Sequence, residues 1–468
     1  MTDREAVVSN AKYLRNVRPI DPEEIAEYIE GYPHPAVVRQ TLREEAFDLG
    51  LVEQDDGTFV PVDEGPVPLG DWRPEALPEA YSFAVEDLLV ERYGANWHTG
   101  ESGDELREAV RRLKEDYYYQ NDVEYDETAA LGYAIYHLAD YYAEVGYVLN
   151  DLAENGLLPK TLRVVDVGAG VGGPALGLHD YLGDDSLVDY HAVEPSPAAD
   201  VLERVLDETR ENFRTTVHRE TAEAFDLDSV GEVDLVLFGN VLSEVADPVA
   251  VVRRYLDALP DDGSVVALAP ADRNTSIGLR EVEREVESEG GATVYSPGLR
   301  LWPDMTPSDR GWSFDVRADV ETPAFQRRLD EGGASDGTFT KTSVQFSYSI
   351  LRKDRKRRVD LRADRSRHAR MAEMEKHVTD RIDLLAVKLS HNLAEGENRN
   401  PVFKIGDGSQ SVDHYAVLTR ESGLNHELTE AEYGAILGFE NVLCLWNDDE
   451  EAYNLVVDGE TFVEIVVP

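Results

Sequence analysis

The chain has a single cysteine, Cys444, in 468 residues, so neither a disulfide framework nor a cysteine-ligated metal site can form within one chain. Set in the apolar run 441–446, that thiol reads as a buried core group. Cations are scarce too: 45 Lys and Arg stand against 94 Asp and Glu, a net charge of −49. The carboxylates are spread along the whole length, and 42% apolar content separates the chain from disordered acidic segments. Such a surface suits a cytoplasm kept at molar salt, where charges are screened beyond about 3 Å. It does not exclude a nucleic-acid partner, although salt weakens attraction to phosphate. No apolar run approaches bilayer-spanning length, and MTDREAVVSNAKYLRN at the start lacks the apolar core of a signal peptide. A cytoplasmic protein without a membrane partner is expected.

What the chain does contain is VVDVGAGVGGPALGL, residues 164–178. Residues 163–167 read as a buried parallel strand and 174–181 as a helix, with Gly168, Gly170, Gly172 and Gly173 turning the backbone between them. Asp166 then sits at the carboxyl end of the strand, where open α/β sheets bind ligands, and the bare loop admits the methionine part and ribose of a nucleoside cofactor. Dinucleotide loops share a related pattern, so the downstream spacing decides. A second apolar strand, 188–193, ends at Glu194, a carboxylate placed to take both ribose hydroxyls. Further strands are expected at 214–218, 233–238 and 264–269, with a helix-prone link at 221–225 and a helix at 248–259; 292–295 and 344–351 would complete seven. This alternation is that of a doubly wound α/β sheet and predicts a Rossmann-like S-adenosylmethionine methyltransferase domain. Its cofactor residues are expected to be Asp166, Gly168, Ala169, Gly170, Gly172, Glu194, Pro195, Thr221, Ala222 and Asn240.

The flanks are less explicit. Helix, turn, helix and hairpin at 22–30, 32–35, 36–49 and 51–61 follow the order of a winged helix. The second helix sets Arg39 and Arg43 against Glu44, Glu45 and Asp48, so a structural or protein-docking role competes with nucleic-acid binding. A Pro- and Gly-containing stretch, 64–78, reads as a linker. Residues 79–158 are helical in pattern and rich in tyrosine: Tyr117, Tyr118, Tyr119, Tyr125, Tyr133, Tyr136, Tyr141, Tyr142 and Tyr147. These rings either stack on bases or pack a helix against the sheet. From 377 onwards, short strands with Asp-Gly turns at 407–408 and 458–459 predict a small β-barrel. It is either an OB-like RNA-binding appendage or a structural or dimerisation module. The expected organisation is a winged-helix-like module (1–75), a helical lead-in (76–160), the methyltransferase domain (161–352), a basic linker (353–376) and a β-rich, OB-like domain (377–468).

Four stretches carry a family resemblance. ALGYAIYHLADYYAEVGYVLNDLAEN at 130–155, Val241-Leu242-Ser243-Glu244, residues 269–280 and VQFSYSIL at 344–351 together resemble the mitochondrial-type small ribosomal subunit methyltransferase-like family, in a form suited to salt-loving archaea. The resemblance implies a class I S-adenosylmethionine-dependent enzyme acting on small-subunit ribosomal RNA or in small-subunit assembly. Members of that family hold an iron-sulfur cluster through Cys-Pro and Trp-Cys motifs beyond the fifth strand; the matching positions here are Ser296-Pro297 and Trp312-Ser313-Phe314. Serine hydroxyl is a poor replacement for thiolate on iron, so no cluster is expected, and the loop should be held by packing around Trp302 and Trp312. Ala269 also replaces the family's glutamate before Pro270. An assembly factor that keeps the cofactor fold and transfers nothing is therefore the alternative.

Because the sulfonium methyl is already activated, catalysis chiefly needs alignment and, for a weak nucleophile, a proton acceptor. Asn240, Ser243, Glu244 and Asp272 are the candidates, with helix capping as the competing role of Asn240 and Ser243. Residues 239–242 lack the Asp/Asn-Pro-Pro-aromatic motif of exocyclic amine transfer, and no cysteine near the loop supports pyrimidine C5 transfer. Finally, RKDRKRRVDLRADRSRHAR at 352–370 holds ten Lys or Arg against three Asp, opposite to the bias of the whole chain. Phosphate contact is expected from Arg352, Lys353, Arg355, Lys356, Arg357, Arg358, Arg362 and Arg365, with the small ribosomal subunit or its RNA as partner.

Overall fold

The computed structural model describes residues 4–119, 126–333, 336–396 and 399–468; Tyr125 lies outside them. The chain begins with α1 (Arg4–Leu14), α2 (Pro22–Tyr28), α3 (Pro35–Leu49), β1 (Leu51–Glu53) and β2 (Phe59–Pro61). Helices α4 (Glu79–Tyr93), α5 (Gly100–Tyr119) and α6 (Glu127–Ala153) lead to β3 (Thr161–Val167), α7 (Gly173–Leu182), β4 (Leu187–Val193), α8 (Ala198–Leu206), β5 (Phe213–His218) and β6 (Leu235–Gly239). Next come α9 (Pro248–Ala258), β7 (Ser264–Pro270), α10 (Arg273–Ser288), β8 (Thr293–Ser296), β9 (Asp315–Arg317), α11 (Ala324–Glu331) and β10 (Val344–Arg352). The last part holds β11 (Arg381–Lys388), β12 (Val402–Gly406), β13 (His414–Leu418), α12 (Glu427–Glu430), β14 (Ile436–Asn447), β15 (Ala452–Val457) and β16 (Phe462–Val467). Two compact units result: residues 1–239 with 319–342, and residues 240–318 with 343–468.

In the first unit, β5, β4, β3 and β6 lie side by side in that order, all parallel, with Val164 opposite Tyr190 and Asp166 opposite Ala192. These strands are apolar runs because both faces are covered: in β3 and β4 the last four residues are all buried. Helix α6 is apolar nearly all round and packs on α5 and α7. At the front, Val7, Ile25, Val38, Leu42, Leu51 and Phe59 form a small core of α1, α2, α3 and the hairpin. The expected helix, helix, hairpin order is present, and α1 adds a further helix packed on α3. The α3 cations turn to nearby carboxylates, Arg43 to Glu53 at 2.6 Å and Glu211 at 2.9 Å, and Arg39 to Glu53 at 3.6 Å.

Two local expectations need correction here. The stretch 64–78 is not a free linker: Val67 N–H donates to Leu158 O at 2.8 Å, and Trp72 Nε1 donates to Ala143 O at 2.8 Å, because Val67, Trp72 and Leu77 have apolar surface to bury. Residues 221–225 form a turn closed on Thr221 O rather than a helix, since Asp226 starts a separate single-turn 3-10 helix at Leu227–Ser229.

In the second unit, β10 pairs antiparallel with β7, β8 and β9. The chain between 161 and 352 thus carries eight strands among the described residues; the three-residue β9 is too short to leave a sequence pattern. Downstream, β11, β12, β13, β15 and β14 follow one another around a closed five-stranded barrel, β14 returning to β11 and also carrying β16. Only β13 and β15 run parallel in it. Leu384, Phe403, Ile405, Leu437, Phe439 and Leu455 fill its core. The loop after β8 docks on β12, β13 and their connection: Trp302 Nε1 donates to Asp407 Oδ2 at 2.6 Å, Ser308 Oγ to Gln410 O at 2.7 Å, and Lys404 Nζ stands 3.6 Å from the Trp312 ring centre. Among the described residues no helix is long and apolar enough to cross a membrane.

Candidate functional site

The site in the first unit is built on the ends of β3 and β4. After Val167 the chain turns through left-handed backbone at Gly168, Gly170 and Gly172 before α7 begins. Gly172 is doubly constrained: its φ is 94°, and a Cβ there would come within 2.9 Å of Leu202 Cδ1. The loop is tied to the neighbouring strand end, since Gly168 N–H and Ala169 N–H both donate to Val193 O, at 2.8 and 3.2 Å.

Glu194 extends that tie. Its Oε2 accepts from Gly170 N–H at 2.9 Å and its Oε1 from Ser196 N–H at 2.9 Å, so one buried carboxylate spans the two loops. Each oxygen keeps a free lone pair after these bonds, the acceptor set that a vicinal diol requires. Asp166 is fully buried; Tyr190 OH donates to its Oδ2, while Oδ1 has no hydrogen-bond partner. Burial, with the Glu194 charge adding to it and the Tyr190 bond opposing it, pushes the Asp166 carboxyl up to about 7. An orphaned buried carboxylate oxygen beside a bare loop fits the polar groups of S-adenosylmethionine. Of the other expected cofactor residues, Pro195 and Thr221 are exposed and Ala222 is half-buried on the loops that follow β4 and β5.

The sequence offers the α6 tyrosines base stacking or packing on the sheet, and in the structure several α6 residues stand at this loop. A Cβ on Gly170 would lie 3.8 Å from Tyr133 Cε1, and one on Gly173 only 2.7 Å from Tyr141 Cβ. Tyr133, His137 and Tyr141, one helical turn apart, stack with ring centres 4.9 and 4.8 Å from one another in sequence. Lys341 Nζ reaches Asp140 Oδ2 at 2.5 Å and His137 Nδ1 at 3.2 Å. An ammonium only donates, so His137 accepts at Nδ1, and in its neutral form carries its proton on Nε2. Burial and the Lys341 charge push His137 down to about 4; Asp140, which burial alone would raise, is held low by Lys341. Tyr190 was legible in principle: in β4 it lies two residues before Ala192, the partner of Asp166, and so on the same sheet face. The Lys341 pairing had no local signal at all.

The remaining candidates belong to the second unit. Asn240 is buried with φ 63°, its N–H donating to Leu268 O at 3.1 Å, while Ser243 and Glu244 are exposed. Asp272 caps α10: its carboxylate accepts from Asn274 N–H at 2.9 Å, Thr275 N–H at 3.0 Å and the Thr275 hydroxyl. Helix capping, weighed in the sequence for Asn240 and Ser243, is thus the role the fold gives Asp272. Ser296 Oγ lies 3.2 Å from Tyr348 OH and Ser313 Oγ 2.7 Å from Tyr433 OH, so hydroxyls engaged with tyrosines stand where a cluster would need thiolates.

The basic run also differs from expectation. Arg352 is 1% exposed, with its guanidinium on Ser264 Oγ at 2.6 Å and on Asp354 Oδ2 at 2.6 Å, and Lys353 Nζ donates to Leu256 O and Leu259 O. These two cations therefore hold the fold and present no charge to a polymer. Lys356 reaches Asp354 at 3.4 Å, Arg357 Glu287 at 3.1 Å, Arg362 Asp360 at 3.5 Å and Arg365 Asp304 at 3.1 Å. Arg355 is exposed, and Arg358 is anchored through its backbone N–H to Tyr295 O at 2.9 Å.

Of the comparisons with known proteins, the match to a methyltransferase domain model agrees with the fold. Residues 165–265 match the methyltransferase domain model; residues 4–55 and 372–466 match the N-terminal and C-terminal domains of a domain of unknown function (DUF8157). No curated protein matches the chain. Solved structures similar to it include the CurJ carbon methyltransferase (14% identity, 75% of this chain and 90% of that chain, TM-score 0.32). The plantazolicin methyltransferase BpumL in complex with SAH is another (10%, 58% and 98%, 0.28), as is the sugar N-methyltransferase KedS8 from Streptoalloteichus (24%, 29% and 51%, 0.23).

Proposed function

We propose that this protein is a cytoplasmic S-adenosylmethionine-dependent methyltransferase acting on small-subunit ribosomal RNA during assembly of the small subunit. One observation carries the cofactor part: Glu194 is fixed by Gly170 N–H and Ser196 N–H with acceptor capacity to spare, beside the orphaned oxygen of Asp166. When bound, the cofactor supplies a methyl already activated on sulfur. The chain's own part is to hold the ribose hydroxyls at Glu194, to offer Asp166 Oδ1 to a donor, and to keep water off the loop with the Tyr133 ring. The substrate part is supported by the family resemblance over 130–352 and by the cationic run beyond Lys353.

A second reading, an assembly factor that binds the cofactor and transfers nothing, is favoured by one observation: Asp272, one of the candidate proton acceptors, serves as a helix cap.

Calorimetric titration with S-adenosylmethionine tests the first step. The wild-type chain should bind, and Glu194→Ala should weaken binding at least tenfold, as expected for charge-assisted hydrogen bonds of about 1.5–3 kcal/mol. A wild-type chain that shows no binding overturns the cofactor claim. Comparing methylated positions in small-subunit RNA with and without the gene separates the two readings, since an unchanged map leaves only the assembly factor.

A further inference from the structure

We propose that the second unit holds a pocket for a compact polyphosphate group, such as the phosphate tail of a nucleotide or the 5′ end of an RNA, faced by Arg355, Arg357 and Arg362 with the engaged cations Arg300 and Lys353 behind them. This goes beyond methyl transfer and does not depend on it. The cavity measures about 430 Å³ and lies among the end of α10, the start of β8, the loop 300–306 and the chain after β10. Pockets of roughly 300–1,000 Å³ suit small molecules.

The basic run reaches this pocket because alternate residues pin it down. Val359, Leu361 and Ala363 pack on the apolar cluster that contains Leu299, Leu301 and Trp302, and Ala363 N–H donates to Leu301 O at 2.9 Å. An extended segment with period two thereby carries its charged residues as a fixed ridge. The result is a wall with five cations and two carboxylates, Glu287 and Asp360, in a chain whose carboxylates outnumber its cations two to one.

Arg300 backs the wall. Its side chain is 5% exposed, anchored at Nε by Glu287, and its NH2 stands 3.6 Å from Glu283 Oε1 with both terminal nitrogens shut off from solvent. Its charge therefore acts on the cavity through space, while the exposed Arg355 and Arg362 supply guanidinium forks that a phosphate can meet. Burial, together with the neighbouring charges of Arg300 and Arg362 against Glu287, holds the Arg357 guanidinium below its ordinary range, a crowding that an anion relieves. Arg355 is held at φ 62°, a conformation most residues avoid and one that recurs at binding sites. Cations gathered around one half-open cavity suit a compact polyanion or the terminal phosphates of a chain.

Inorganic tripolyphosphate, titrated calorimetrically into the full chain, should bind. Arg355→Gln and Arg362→Gln, both at exposed positions, should each weaken it about tenfold with an unchanged melting temperature. Two RNA 12-mers identify the source: preference for the 5′-triphosphate form over the 5′-hydroxyl form supports an RNA end, and tripolyphosphate binding without that preference supports a free nucleotide. Absence of tripolyphosphate binding, or binding indifferent to Arg355 and Arg362, overturns the pocket. So does equal binding of the two RNAs that tripolyphosphate fails to compete.

Discussion

Asp166 and Glu194 stand at neighbouring strand ends, but their surroundings differ. Glu194 is paid in backbone N–H groups, whereas Asp166 has one tyrosine hydroxyl and one bare oxygen. Because the folded Asp166 carboxyl titrates near 7 and a free one near 3.9, the folded state holds the proton more tightly. Stability from this residue is therefore present below about pH 4 and lost as pH rises to 7. We expect Asp166→Asn, neutral and nearly isosteric, to stabilise the ligand-free protein at pH 8.5 by an amount on the order of 2–4 kcal/mol, and by no more than about 1.5 kcal/mol at pH 5. Melting curves at the two pH values check this; a gain of the same size at both would refute the ionisation account. The same variant should bind S-adenosylmethionine more weakly, the usual exchange of stability for function at a strained site. Asp166 and Glu194 were legible from spacing in the sequence. Tyr133 and Lys341 were not, because their partners lie far away along the chain, and Tyr190 was legible only through the register of β4 on β3.

At the scale of elements, the α6–α7 contact shows why a helical glycine cannot be judged from propensity alone. A Cβ on Gly177 would meet Tyr142 O at 2.2 Å and Val145 Cγ1 at 2.5 Å, while one on Gly278 in α10 would meet nothing within 4 Å. Replacing glycine by alanine favours a helix by about 1 kcal/mol, but overpacking against backbone costs about 1–3 kcal/mol or more. Gly278→Ala should therefore raise the urea midpoint slightly and Gly177→Ala lower it; two shifts of the same sign would show that the close approach does not matter. The barrel teaches a similar lesson. Its strands were readable from short apolar runs and Asp-Gly turns, yet not that the loop bearing Trp302 and Trp312 covers β12, β13 and their connection. The segment marked as an exposed basic linker is likewise pinned by Val359, Leu361 and Ala363, whose alternation is too brief to separate from a loop.

Over the whole molecule, a net charge of −49 opposes compaction. Many of the surface ion pairs, such as Arg4 with Glu44 at 3.0 Å, are exposed and contribute little. Raising salt from 0.1 to 1 M shortens the screening length from about 10 to 3 Å, so relief of self-repulsion should outweigh the pairs lost. We expect the melting temperature to rise over that range in sodium chloride, and a fall would show that attractive pairs dominate. By itself the sequence determined the strand and helix alternation, the glycine loop and the two acidic strand ends, because each is written in residues close together and in a period the backbone imposes. Only the tertiary structure decided which side chains meet: Lys341 with Asp140, Trp302 with Asp407, and Arg357 with Glu287. Those pairings depend on the packing of distant segments, and no local pattern records them.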